Sequence, residues 1–330
     1  MLVRTLAAIA AAVLLQSAPA APAASPFPIG WTISPESERP GTVQLGITYR
    51  SGRSRGNNSG PIALAELQGL TEARLAGNGP AAFRIVRDAG TLDCEGIVRA
   101  RRGTGECRFA GDAGFAAELA RRGFGRPSAH EQFQLALHDV DRATVAELDR
   151  QNYARPSIEQ LVGVGIHGAG YDYLRALDRA GYRVGTVAKL VEMRIHGVTA
   201  DYIAELASLG FARPSPDQLV SLRIHGVTAA YVRELAALGY TRLSPDELTA
   251  LRIHGVSPDL VREMAALGYT RLTGNQLTQL AIHGVSPAFI RAMAEAGYRR
   301  LDVDELVQLR IHGVSPEDAR RANAAFRRRD

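Results

Sequence analysis

Two patterns of apolar and polar residues divide this chain. Over residues 42–49 apolar and polar side chains alternate, as they do in a half-buried strand. Residues 82–87, 91–98 and 106–109 are strand-like as well, with turn residues at 88–90 and 103–105 between them. Residues 50–61, made of Gly, Ser, Asn and Arg with few apolar positions, read as a flexible exposed loop. This part predicts a small antiparallel sheet of four or five strands. From Asp112 onward the apolar period becomes helical. Leu260, Val261, Met264 and Leu267 fall at i, i+1, i+4 and i+7 and mark one apolar stripe.

The helical part repeats itself. A histidine recurs every 29 residues, at His138, His167, His196, His225, His254, His283 and His312. A fixed period in this range marks stacked supersecondary units. In the unit that begins at Ser244, Ser244 is an N-cap, Pro245 takes the first helical position and Glu247 completes a capping box. Gly255 ends that helix, Ser257-Pro258 opens a second, and Gly268 ends the second in a left-handed conformation. Each helix is about ten residues long and marginal alone, so neighbours must stabilise it. The ends degenerate as a stack requires. Asn152 takes the place of a terminating Gly, and Phe115, Leu119, Gly123 and Phe124 match Leu260, Met264, Gly268 and Tyr269. At the far end Asp318 and Ala322 replace apolar residues, as suits a last repeat without a successor. The expected fold is α+β: a small antiparallel β domain over 25–110, then an all-α solenoid of 29-residue helix-turn-helix repeats over 111–330.

Residues 1–24 predict an export signal. Arg4 precedes an apolar run at 6–15 that is too short to span a bilayer, and small residues follow at 18–23. The mature chain is then expected in the periplasm or outside the cell. The formal charge of +5 is mild, and Lys189 is the only lysine among 39 cations. Such a charge permits an anionic partner without specifying one. Cys94 and Cys107 are the only cysteines. Exported pairs often bond, yet a hairpin turning at 101–104 would set Val98, not Cys94, opposite Cys107. A disulfide, favoured by export, and two buried free thiols both stay open at this point.

Motifs for chemistry are few. One histidine per repeat, about 9–10 Å from the next, does not suit a zinc ion that needs ligands about 2 Å away. The histidines are expected instead to pack beside Leu248 and Leu251 and their equivalents and to cap helix ends. His130-Glu131 begins like a zinc peptidase motif, but position 134 is Gln and the second ligand is missing. No nucleophile elbow, phosphate loop or dinucleotide fingerprint occurs. No catalytic residue, metal site or cofactor is expected. Arg194, Arg223, Arg252 and Arg310 precede the repeated Ile-His and suggest a basic binding stripe, interrupted by Ala281.

The recurrent Leu-Arg-Ile-His-Gly-Val-Ser/Thr run, followed by Leu-Gly-Tyr, resembles a 29-residue helical repeat of exported bacterial proteins. It is also similar to extracytoplasmic regions appended to BlaR/MecR-like antirepressor peptidases. Residues 87–96 and 103–109 resemble the β segment that precedes those repeats. The resemblance covers nearly all of the expected mature chain. It implies a sensory or interaction region without the peptidase, and it transfers no catalytic residue. The expectation is a non-enzymatic scaffold that binds a protein or cell-envelope polymer along its repeats. Two alternatives remain: nucleic-acid binding through helix-hairpin-helix-like units, whose amides hold phosphate, and an unrecognised hydrolase.

Overall fold

A computed structural model describes residues 26–36, 39–52, 54–211 and 213–326; the expected export signal lies outside them. The chain forms two compact units that divide between Asp112 and Ala113.

The first unit is a six-stranded antiparallel sheet of β1 (Ile29–Pro35), β2 (Thr42–Ser51), β3 (Ser54–Ala63), β4 (Asn78–Arg87), β5 (Gly90–Arg99) and β6 (Arg102–Gly111). The spatial order is β3-β2-β1-β6-β5-β4, so two three-stranded meanders join where β1 pairs with β6. Ile29, Trp31 and Ile33 of β1 and Val43, Leu45 and Ile47 of β2 are buried. The short α1 (Glu72–Ala76) packs on β4 and β5 and adds Leu75 to this core. Trp31 lies across the paired Gly96 and Gly105, where an added Cβ would stand 2.7 and 2.6 Å from its ring. Its indole Nε1 donates to Glu95 O at 3.1 Å.

Three expectations change here, the first being that the sheet has six strands rather than four or five. Residues 50–61 are not a loop, because most of them form β3, which pairs with β2 throughout its length. As an edge strand it needs few apolar side chains, and its Pro61 and Arg55 suit an unpaired edge. The β5–β6 hairpin turns at Ala100-Arg101, not at 101–104. Both residues have positive φ, 47° and 66°, the geometry of a two-residue type I′ turn. Ala100 N donates to Gly77 O at 3.1 Å and Arg101 N to Leu75 O at 2.9 Å, so the α1 region holds this turn. The earlier turn pairs Cys94, rather than Val98, with Cys107, and the two cysteines form a disulfide with Cα atoms 4.0 Å apart.

The second unit opens with α2 (Ala113–Arg121) and continues as helix pairs. The leading helices are α3 (Ala129–Leu137), α5 (Ile158–Ile166), α7 (Val187–Ile195), α9 (Pro216–Ile224), α11 (Pro245–Ile253), α13 (Gly274–Ile282) and α15 (Val303–Ile311). The trailing helices are α4 (Arg142–Arg150), α6 (Tyr171–Arg179), α8 (Ala200–Ser208), α10 (Ala229–Ala237), α12 (Pro258–Ala266), α14 (Pro287–Glu295) and α16 (Pro316–Phe326). Leading helices stack on leading helices and trailing on trailing, giving a two-layer solenoid.

Local chemistry sets each boundary. At α11 the Ser244 hydroxyl accepts from Glu247 N at 3.2 Å, and the Glu247 carboxylate accepts from Ser244 N at 2.8 Å. At the other end Gly255, φ 74°, donates to Arg252 O, and Val256 N donates to Leu251 O at 2.8 Å. These two bonds are the Schellman pattern, and the left-handed φ favours Gly. Leu248, Leu251 and Val256 are fully buried. The trailing helix ends the same way, at Gly268 with φ 98° and Tyr269 N bonded to Met264 O. Asn152 fills the left-handed place with φ 55°. At the final repeat Asp318 becomes a cap: its carboxylate accepts from Ser315 N at 3.0 Å, and its own N donates to the Ser315 hydroxyl.

Candidate functional site

Most of the repeated histidines are exposed rather than packed beside the leucines. Each ends its leading helix as the C-cap residue, but His167, His225, His254 and His312 are exposed and His138, His196 and His283 half-buried. The helical phase explains this. Leu251 turns inward, and Val256 beyond the turn fills the place that His254 was expected to take. Burial lowers the pKa of His138. Among the described residues, no three His, Cys, Asp or Glu side chains converge as a metal cluster. Glu131 of the partial peptidase motif is occupied as a cap, accepting from Ser128 N at 2.8 Å, and this bond holds its carboxyl below the usual range.

One residue before each of the last six histidines stands an exposed isoleucine. Ile166, Ile195, Ile224, Ile253, Ile282 and Ile311 are 52%, 54%, 55%, 53%, 48% and 52% exposed. They account for six of the nine exposed large apolar side chains among the described residues. Scattered surface apolar residues are ordinary, whereas a contiguous row marks a contact surface. These six occupy one structural position, the last turn of each leading helix. They therefore run along the edge where leading helices end and trailing helices begin. Sequence reasoning passed over them, although a signal was present: the isoleucine recurs every 29 residues yet is out of phase with the buried Leu248 and Leu251.

The four arginines of the expected basic stripe lie on the same edge and reach back to the preceding repeat. Arg194, Arg223, Arg252 and Arg310 sit over the rings of Tyr173, Tyr202, Tyr231 and Phe289 at 5.1, 5.0, 4.8 and 5.1 Å. In each case the arginine follows the ring by 21 residues. The three tyrosines also donate their hydroxyls to Val198 O, Val227 O and Val256 O at 2.7, 2.7 and 2.8 Å. Burial pushes these tyrosines up to about 12. Arg310 Nε donates to His283 O at 3.2 Å, closing the preceding helix end.

The interruption of the stripe now has a cause. Where Ala281 replaces the arginine, Leu260 stands 21 residues earlier in place of the ring. The same double loss occurs at Thr144 and Gly165. There Thr144 Oγ1 accepts from Tyr171 N at 2.9 Å, and a Cβ at Gly165 would come within 2.4 Å of His138 O. From Thr144 onward ring and arginine are present together or absent together, as suits an inter-repeat contact, whereas at the first repeat Phe115 precedes Ala136 by 21 residues and is covered by Arg142 instead. The recurring contact leaves the charge unneutralised. Among the described residues none of the four guanidiniums pairs with a carboxylate, and Arg223 Nε is buried without an acceptor. Arg194, Arg252 and Arg310 remain exposed.

The edge thus alternates aliphatic side chains and free cations at the repeat period. Its backbone donors are mostly used. The amides of Gly255 and Val256 close the Schellman motif, Leu260 N bonds the Ser257 hydroxyl, and Pro258 at the next helix start has no N–H. No helix of the described residues is long and apolar enough to cross a membrane. No protein-family model matches the chain, and no curated protein matches it either.

Proposed function

We propose that this protein is a non-catalytic interaction module, exported to the periplasm or beyond, that binds a protein or cell-envelope partner along the turn edge of its repeats. The observation that carries this reading is the row of six half-exposed isoleucines at one structural position. Nothing within the array needs an apolar group there, since the inward positions are already filled by leucine and valine. Stacked repeats commonly bind along an extended surface, and interfaces are apolar at the centre with arginine enriched. The likeness of the repeats to those of exported bacterial regions fits the same reading. Nucleic-acid binding through hairpin amides has less support, because the amides after each histidine close the helix end and proline opens the next helix in the last three repeats.

The test is capture from a cell-envelope extract by the wild-type chain and by Ile224→Ser/Ile253→Ser. The variant should melt within a few degrees of wild type, because both side chains face solvent. Loss of the captured partner with the fold intact supports the edge as the binding surface. Equal capture by both proteins contradicts it.

A further inference from the structure

The edge carries information about the chemistry of its partner, on the premise that it is the binding surface. Its apolar side chains recur once per repeat. Stacked helices lie about 8–10 Å apart, so successive isoleucines are spaced by about that distance. A polyproline II segment has three residues per turn and rises about 3.1 Å per residue. It therefore shows every third side chain to one face at intervals of about 9 Å. A β-strand presents alternate side chains at about 6.6–6.8 Å and falls out of register within two repeats.

Charge adds a second constraint. Between the isoleucines lie the guanidiniums of Arg194, Arg223, Arg252 and Arg310, stacked on rings and without carboxylate partners. Stacking holds each one in place, so little conformational freedom is lost when an anion arrives. The one interval without a cation is the Leu260/Ala281 junction. We infer that the partner is an acidic, extended polypeptide in polyproline II conformation, with an aliphatic residue at every third position and carboxylates between. Its aliphatic side chains would lie against the isoleucines and its carboxylates on the guanidiniums. Phosphate polymers satisfy the charge but leave the isoleucines unused.

The test uses the full chain and fluorescence anisotropy with a labelled peptide of six Pro-Glu-Leu triplets. The comparison probes are a peptide of the same composition in shuffled order, one of six Pro-Lys-Leu triplets, and an oligothymidine of equal length. The ordered acidic peptide should bind at least about tenfold more tightly than the shuffled one, and its affinity should fall with salt. Arg223→Gln/Arg252→Gln should weaken it on the order of tenfold. Ile224→Ser/Ile253→Ser should weaken it at least as much. Because the arginine variant also loses inter-repeat contacts, a gain-of-function variant complements it. Leu260→Tyr/Ala281→Arg supplies the missing cation and should tighten binding severalfold.

Equal affinity for the ordered and shuffled peptides overturns the periodicity. Preference for the lysine peptide or the oligothymidine overturns the acidic polypeptide. If no peptide binds, this partner class is wrong, while the interaction surface itself is judged separately by capture with the isoleucine variant.

Discussion

Two regions of the helical array, the trailing helices at its start and the leading-helix ends farther along, neutralise their arginines differently. Around α2 to α6 Arg122, Arg142 and Arg150 are tied to carboxylates. Arg142 bonds Glu118 at 2.5 Å, Arg122 bonds both Glu118 and Asp149 at 3.0 Å, and Arg150 bonds Glu147 at 2.6 Å and Asp178 at 2.5 Å. Glu147 is only 5% exposed and also accepts from Gln151 Nε2 at 2.7 Å. Its Arg150 hydrogen bond, its largest influence, helps hold its carboxyl down to about 2 against the opposing effect of burial. From α7 to α15 the arginines next to the repeated Ile-His lie on rings instead and keep their charge available. The exposed isoleucines are also fully developed only past the first repeat, where Leu137 is half-buried. Where charge is satisfied internally the array builds stability; where it is not, the ends of the leading helices present a surface.

The largest expected effect lies at Glu147. Replacing Glu147 by Ala should cost about 2–3 kcal/mol, because it leaves the buried Gln151 amide only a long bond to Leu174 O at 3.5 Å and removes one of the two carboxylates on Arg150, with the loss moderated by the solvent exposure of Arg150 and its remaining bond to Asp178. Arg223→Ala in the other region should cost only about 0.5–1 kcal/mol, the range of an accessible cation–ring contact. Denaturant unfolding of both variants checks the ranking, and equal losses would erase the distinction.

Next in size is the helix end. Gly255→Val places a β-branched residue at φ 74° and should cost about 1–3 kcal/mol. Asn152→Gly, at φ 55° in the first region, should change stability by only a few tenths of a kcal/mol. Thermal melts would expose a wrong assignment if Gly255→Val melted with the wild type.

A smaller effect sharpens the contrast. Leu260→Tyr and Ala281→Arg together should restore the missing contact. A double-mutant cycle should show favourable coupling of about 0.5–1 kcal/mol. Additive singles would mean that ring and arginine recur together without interacting.

The pH responses should also separate the regions. The folded pKa of Glu147 lies below its ordinary value, so its contribution is present above about 4.5 and is lost as pH falls toward about 2. Tyr153, Tyr173, Tyr182, Tyr202 and Tyr231 are raised to about 12 by burial. Their contribution is present below about 10 and disappears as pH rises toward about 12. Hydrogen exchange at low pH should therefore loosen α4 and α6 before α8 and α10. Ultraviolet titration of the tyrosinates should reach its midpoint late and together with unfolding. Uniform loosening at acid pH would contradict the regional difference.

Much of the array could be read in the sequence because its determinants are local. Ser244, Glu247, Gly255, Ser257 and Gly268 act within one or two turns, and each does in the fold what its residue type suggests. The sheet was harder, since pairing is non-local. β3 is held by its register with β2 against the preferences of its Gly, Ser and Asn, and the Ala100-Arg101 turn relies on bonds that its amides donate to the carbonyls of Leu75 and Gly77. The histidines misled because their periodicity drew attention away from their helical phase. The isoleucines beside them had the same period and the more informative phase, but an apolar residue in a helix is expected inside. The ring–arginine contact joins residues 21 apart in different repeats, and only the stacking makes that spacing meaningful.

The role of the isoleucine edge is tested most directly by methyl NMR of the chain labelled at isoleucine δ1, titrated with the Pro-Glu-Leu peptide. Ile97 in the sheet is 63% exposed and serves as an internal control for nonspecific apolar contact. The methyls of Ile195, Ile224, Ile253 and Ile311 should shift together and saturate with the anisotropy signal, while Ile97 stays in place. Saturable binding that leaves those four methyls unmoved, or moves Ile97 equally, would contradict the edge as the binding surface.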